Sequence, residues 1–222
     1  MFGIEPKILG LFRDGCIETL YMVLMSTACA YLFGLPLGVV LYITDKDGIC
    51  RNRPLNIILG VIVNILRSIP FLILLVAVMP FTTFIVGRSY GSTATVVPLV
   101  IAAAPFVARM VESSLKEVDH GVIEAAQSMG SNSFQIITKV LIPEAKPSLI
   151  VGAAIAITTI LGYSAMAGFV GGGGLGTIAV NYGYYRYDNR TMLITVCLLV
   201  IIVQIFQEVG MRIAKLTDRR LK

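Results

Sequence analysis

Charge is scarce in this chain. Only 14% of its 222 residues are Asp, Glu, Lys or Arg, while 56% are hydrophobic, and the mean hydropathy is +0.84. A water-soluble domain of this length needs a larger charged surface to stay dispersed. Much of the chain must therefore face lipid or other apolar helices. Histidine is almost missing: His120 stands alone, and one imidazole does not build a metal cluster. The cysteines, Cys16, Cys29, Cys50 and Cys197, have no metal or redox spacing. Three of them lie in or at the start of apolar segments, where Cys acts as a small hydrophobe. No paired acids, Ser/His set or metal constellation falls within an apolar segment, and there is no P-loop. These absences argue against an enzyme acting alone. No acid lies deep in an apolar segment either, since Glu112 and Glu208 sit toward segment ends. A stand-alone secondary transporter usually needs such an acid for ion coupling. Nothing forms a basic patch interleaved with aromatics, so nucleic acid is not an expected partner. The N-terminus has no short basic region leading into an apolar core and a small-residue cleavage site, so no cleaved signal peptide is expected.

What is abundant is long apolar sequence. Five segments are long enough to cross a bilayer, which takes about 20 residues in a helix. They run over 17–43, 55–83, 92–111, 148–170 and 191–214. In lipid the backbone must satisfy its own hydrogen bonds, so these runs are expected to be helices. They are too continuous for barrel strands, which alternate every second residue. The fold class that follows is an all-α integral membrane protein, with residues 1–222 forming one transmembrane domain. No internal repeat is visible, and an odd number of spans argues against two equal inverted repeats.

Charge also orients the chain. One set of connections carries Lys46, Arg51, Arg53, Arg109, Lys116, Lys139, Lys146 and a basic tail from Arg212 to Lys222. The opposite set carries Lys7, Arg13, Arg88, Arg186 and Arg190. The richer set belongs to the cytoplasm. The expectation is an outer N-terminus and an inner C-terminus.

One connection breaks the pattern. Residues 116–147 are too polar to span and too regular for a floppy loop. Val122, Ala126 and Met129 recur at i, i+4 and i+7, as on one helix face, with Asp119 placed as the N-cap. Gly130 supplies a sharp exit. Ser133 is placed to cap a second short helix with Phe134, Ile137 and Leu141 on one face. Pro143 and Pro147 close the unit. The result is a helix, a tight turn, a helix and a stop. Physics alone leaves two readings: an amphipathic pair lying on the membrane surface, or an elbow that carries force to a soluble partner.

The residues themselves supply a resemblance. Glu124-Ala125-Ala126, then three residues, Gly130, then nine residues and Val140-x-Ile142-Pro143, is similar to the EAA loop of bacterial ABC importer permeases. That family's pattern ends in Ile-x-Leu-Pro, so this chain departs only by two apolar swaps. The resemblance implies that the elbow is a coupling helix seated in a cleft on a separate ATP-binding subunit. Glu124 would reach a polar or basic group there, Ala125 and Ala126 would allow close approach, and Gly130 and Pro143 would shape the turn and the stop. ATP and Mg are then expected on that partner, with no cofactor or metal held by this chain. Gly162 through Gly168, the glycine run after it and Asn181-Tyr182-Gly183-Tyr184 further resemble the methionine-importing permeases. That likeness implies a homodimer in the bacterial inner (plasma) membrane, served by an external substrate-binding lipoprotein. The cargo it implies is methionine, in the L- and also the D-form, or a related small amino acid. A stand-alone channel or secondary transporter remains the alternative class.

Within the apolar segments a few residues are candidates for the translocation pathway: Asn64, Arg67, Ser68, Tyr163, Ser164 and Met166. Arg67 lies about 13 residues beyond Pro54, which at about 1.5 Å per residue is near the bilayer middle. Insertion of Arg there costs on the order of 2.5–3.5 kcal/mol, so it should avoid lipid. Its role is either a gate or a clamp onto the Leu66 carbonyl, which Pro70 frees. Asn64 and Ser68 fall on one helix face. Pro98 and Pro105 are expected to kink the third span. Gly171, Gly173 and Gly176 fit GxGxxG, but they follow a membrane helix and not a strand, which excludes a dinucleotide loop. The run instead suits a tight backbone re-entry at the outer mouth. Tyr182, Tyr184, Tyr185 and Tyr187 suit either an interfacial belt or a docking surface for the external protein.

Overall fold

The computed structural model describes residues 6–217. Arg219, Arg220 and Lys222 of the basic tail lie outside the described residues. Regular structure among the described residues is helical throughout. Four helices are long and apolar enough to cross a membrane, and a bent pair makes a fifth span if counted as one.

The first helix, α1 (Pro6–Ile43), starts well before the expected residue 17. The apolar run begins late because Arg13 and Asp14 interrupt it. Those two pair with each other at the surface at 2.8 Å. Phe12, on another face of the same turns, is buried with Leu175 and Ile178, and that contact holds the early turns in place. Pro36 lies inside α1 without ending it.

The second apolar segment is not one span over 55–83. It divides into α2 (Arg53–Ser68), α3 (Phe71–Ala77) and α4 (Met79–Val86). The first break falls at Pro70, which has no N–H to give and disfavours helical backbone at the residue before it. Pro70 becomes the start of α3 with ψ 134°, and its carbonyl accepts from the Leu74 N–H at 3.0 Å. The chain turns sharply here rather than kinking within a helix. By contrast, α5 (Ser92–Lys116) remains one continuous helix through Pro98 and Pro105. The last two spans are α9 (Lys146–Ala167) and α11 (Asn189–Thr217).

The chain gathers into two compact units, neither continuous in sequence. One comprises residues up to Ala28, Ile69–Ala102 and Ile157–Phe206; the other comprises Cys29–Ser68, Ala103–Ala156 and residues from Gln207 onward. Each long helix contributes one stretch to each unit.

In the unit that begins at Cys29, Leu41, Val63 and Ala108 form a buried cluster with Leu37 and Leu59 against it. Backbones come close because the α1 positions facing α5 are small. A Cβ at Gly34 would lie 2.8 Å from the Ala104 carbonyl, and one at Gly38 would lie 2.7 Å from Val111 Cβ. In lipid, water drives no helix association, so such close packing carries it.

In the other unit the glycine run bends the chain back. Gly171, Gly173 and Gly174 have φ of 76°, 88° and 68°, a region other residues rarely enter. The run opens α10 (Gly174–Ile178), whose first N–H groups would be unpaired. Glu18 and Thr19 of α1 receive them, from Gly174 at 2.7 Å and Leu175 at 2.9 Å. Thr95 donates to the Gly172 carbonyl at 3.1 Å. The re-entry expected from the glycines is therefore present, and α1 side chains hold it.

A Gly38→Val chain should lose stability by about 1–3 kcal/mol, because the added carbons overpack against the α5 backbone. Gly10→Ala should be neutral or gain up to about 1 kcal/mol, since nothing lies within 4 Å of its would-be Cβ. Thermal unfolding of the two variants in detergent separates them; equal midpoints would refute this packing account.

Candidate functional site

The segment 116–147 folds as a structured elbow. Its first helix, α6 (His120–Ser128), starts at Asp119, whose Oδ1 accepts from the Gly121 N–H at 2.6 Å. The expected N-cap is thus in place. Gly130, with φ 79°, ends the helix: its N–H donates to the Gln127 carbonyl at 2.9 Å, and Ser131 N–H donates to Ala126 at 3.1 Å. No atom lies within 4 Å of a Cβ built on Gly130, so the backbone angle and not space demands glycine there.

The second helix, α7 (Ser133–Ile136), is capped by Asn132 and not by Ser133. Asn132 Oδ1 accepts from Gln135 N–H at 2.8 Å, and Gln135 Oε1 accepts from Asn132 N–H at 3.0 Å. This reciprocal pair satisfies two otherwise orphaned donors. Ser133 is the first helical residue, and its hydroxyl meets the Cys50 thiol at 3.4 Å. Pro143 does not stop the chain as expected. A π-helical turn over Ile137–Leu141 precedes it, with the Ile142 N–H reaching back to the Ile137 carbonyl. The wider turn absorbs the missing N–H of Pro143. A short α8 (Ile142–Glu144) follows, and Pro147 lies in the first turn of α9.

The buried faces differ from those the periodicity suggested. Ile123 and Ala126 turn inward from α6, and Ile136 and Leu141 turn inward beyond it, each at most 5% exposed. Val122, Met129 and Phe134 point outward, at 42%, 79% and 73% exposure. The apolar positions allowed two faces about one residue apart, and packing chose the one through Ile123. Glu124 and Ala125 share the exposed side. Large apolar side chains left outside, beside a carboxylate, suit a surface that a protein partner or the membrane face covers.

Behind the elbow lies a ladder of charge that the sequence reading missed. Glu112 is only 6% exposed. Its Oε2 accepts from Arg109 at 2.6 Å and its Oε1 accepts from Lys116 at 2.8 Å. Lys116 also pairs with Asp45 at 2.9 Å. That hydrogen bond, with one from the Lys46 N–H, holds the Asp45 carboxyl below its ordinary range. The other end of Arg109 reaches the Gly60 carbonyl at 3.2 Å and Asn64 Oδ1 at 3.0 Å. The charge pattern alone places Arg109 with the loop charges and Glu112 at a segment end. The signal that would have found them is their i, i+3 spacing with Lys116 four further on.

The intramembrane candidates separate. Asn64 and Ser68 do share a face, with Ser68 Oγ donating to the Asn64 carbonyl at 2.8 Å. Arg67 lies exposed in the last turn of α2. The clamp onto Leu66 is not formed, because the helix terminates before Pro70 and places the guanidinium outward. In the other unit, Tyr163 stacks on Phe71 with ring centroids 4.6 Å apart. Ser164 is 1% exposed and gives its hydroxyl to the Leu161 carbonyl at 2.8 Å. Met166 is 45% exposed. Arg186 lies over the Tyr182 ring, 4.4 Å from its centroid, while Tyr184, Tyr185 and Tyr187 stand exposed.

Comparison with known proteins agrees with this architecture. Residues 34–222 match the family of binding-protein-dependent transport system inner membrane components. The probable D-methionine transport system permease protein MetI of Vibrio cholerae is 52% identical over 203 residues, covering 91% of this chain and 90% of that protein. The methionine import system permease protein MetP of Bacillus subtilis is 44% identical, covering 91% of each. Among solved structures, an inward-facing conformation of the MetNI methionine ABC transporter superposes with a TM-score of 0.96 at 47% identity, covering 97% of this chain and 100% of that one. An amino acid ABC transporter crystallised with histidines shares the fold at a TM-score of 0.77 and 21% identity. With helices, elbow and family pattern in agreement, the chain belongs to the binding-protein-dependent transport system inner membrane components.

Proposed function

We propose that this chain is the membrane-spanning subunit of an ATP-driven methionine importer. The observation that carries the mechanism is the elbow: a rigid pair of short helices whose exposed side presents Glu124, Ala125, Met129 and Phe134. The relatives' methionine transport supplies the cargo. The ATPase is a separate subunit, and it carries ATP and Mg. It seats the elbow in a cleft, where Ala125 admits close approach and Glu124 pairs with a polar or basic group. Ala126 does a different task from its neighbour: it faces inward and fixes the helix to its own chain. Gly130 and Pro143 set the turn and the register on which the outer side depends.

Two copies of the chain form the assembly, with the pathway on the two-fold axis between them. The N-terminus is outside and the elbow is in the cytoplasm. An external substrate-binding protein delivers methionine to the outer mouth, where Tyr184, Tyr185 and Tyr187 stand exposed. Closure of the ATPase pair presses on both elbows, and the spans change from inward- to outward-open. Asn64, Arg67 and Ser68 lie at the break in the second span, the natural place for the pathway to be gated. Tyr163 and Met166 line the pathway in the other unit. Ser164 supports its own helix and does not face cargo.

Reconstitution tests the assignment directly. Liposomes holding this chain with its ATPase subunit, supplied with the external binding protein, should accumulate labelled methionine only when ATP is present. Uptake by the chain alone without ATP, or accumulation of another amino acid in place of methionine, would refute the proposal. The elbow has its own test. Glu124→Arg should reduce ATP-driven uptake about tenfold by leaving a partner charge unpaired, with the chain still folded. Gly130→Val should weaken assembly with the ATPase, since a left-handed backbone costs a branched residue roughly 1–2 kcal/mol. If both variants assemble and transport normally, the elbow is not the coupling element.

A further inference from the structure

Among the described residues, Glu112 is the one charged side chain that is buried. A buried carboxylate stays charged only with partners, and losing one is costly. Glu112 has two, and each leads to a different part of the chain. Through Oε1 it holds Lys116, at the root of the elbow, and Lys116 holds Asp45 in the turn after α1. That turn also touches the second elbow helix, where Cys50 meets Ser133. Through Oε2 it holds Arg109, whose planar fork reaches across to the Gly60 carbonyl and the Asn64 side chain on α2. Asn64 is one turn before Ser68, the last residue of α2, and the two are hydrogen-bonded.

We propose that Arg109 and Glu112 are positioning residues that carry movement of the elbow to the break in the second span. This rests on the reading of the chain as an ATP-driven permease. Charged hydrogen bonds are about twice as strong as neutral ones and hold a defined geometry. Arg109 engages three acceptors on two helices at once, which a lysine could not do with the same planarity. Gly60 is part of the device: a Cβ there would sit 3.4 Å from the guanidinium, so a side chain longer than Ala would displace Arg109 from α2. Because Glu112 cannot be left unpaired, displacing Lys116 drags the carboxylate, the guanidinium and α2 together or forces the whole set into a second arrangement. That is the physical requirement for transmission between two sites.

The test uses the complex of this chain with its ATPase, with Cys16, Cys29 and Cys197 replaced by Ala, Cys50 replaced by Ser to keep a partner for Ser133, and a reporter Ile65→Cys added in the last turn of α2, where Ile65 is exposed. Trapping with ATP and vanadate should change the rate at which the reporter reacts with a thiol reagent by at least about fivefold. In Glu112→Gln, and separately in Asn64→Leu, that change should vanish while ATP hydrolysis stays within about twofold and methionine uptake falls with the reporter. Asn64 is exposed, so Asn64→Leu decides the matter should Glu112→Gln fail to fold. A nucleotide-dependent reporter that persists in the folded variants overturns the proposal. So does loss of hydrolysis along with the reporter in an intact complex, because a device downstream of the elbow leaves the ATPase turning. A parent complex that imports methionine with an unresponsive reporter overturns the ladder alone; a complex of the unsubstituted chain without ATP-driven uptake overturns the permease reading, and the ladder with it.

Discussion

A carboxylate removed from water must be answered on both oxygens, and Glu112 is answered by Arg109 on one and Lys116 on the other. Much of the unit beginning at Cys29 is arranged around that requirement. Breaking a buried pair typically costs about 3–5 kcal/mol, because the remaining charge is stranded. The same constraint fixes where α2 lies against α5, since Arg109 has to spend its remaining donors and finds them at Gly60 and Asn64. Small residues then make the geometry possible. Gly34 and Gly38 let α1 approach α5 to the point where a methyl would collide with backbone. Apolar packing supplies the area; the charges specify which register that packing adopts.

The other unit solves a different problem with different means. There the chain must reverse direction, and an apolar surround gives its free N–H groups no water to bond. Glycines at 171, 173 and 174 make the reversal sterically possible. Glu18 and Thr19 then satisfy the donors at the start of α10, and Thr95 adds a third tie at Gly172. Glu18 is thus neither a coupling acid nor a stray surface charge. It caps the start of α10 from the side of α1.

Long apolar runs and the elbow were legible in the sequence, and the reasons are local. A span announces itself by composition, and Asp119, Gly130 and the spacing from Glu124 to Pro143 act within a few residues of one another. What was not legible depends on choices between near-equal local options. Asn132 and Ser133 are both good caps, and the reciprocal Gln135 bond favours the first. Val122 and Ile123 define apolar faces about one residue apart, and only packing against the rest of the unit decides for Ile123. Pro70 ends a helix whereas Pro98 and Pro105 do not, although all three lie in apolar sequence. Proline by itself does not say which of them ends a helix. The ladder was illegible for a further reason. Its contacts join residues 45, 60, 64, 109, 112 and 116, and a reading of loop charge assigns each to a side of the membrane before asking whether it is paired.

The two kinds of feature meet at the elbow. Its outward side chains, Met129 and Phe134 above all, are apolar and exposed, as suits a surface covered in a larger assembly or by the membrane. A surface carboxylate such as Glu124 adds under about 1 kcal/mol when paired at the rim. In the proposed assembly, recognition by the ATP-binding subunit would rest mainly on shape, set by the angle at Gly130 and by the register of the π turn before Pro143. Shape alone docks a partner but does not transmit its motion. Transmission needs the docked element to be tied inward more firmly than it is held outward. Ile123, Ala126, Ile136 and Leu141 provide the apolar part of that inward tie. In the proposal, the Lys116–Glu112–Arg109 contacts would provide the directional part, because they run from the base of the elbow to Gly60 and Asn64, one turn before the end of α2.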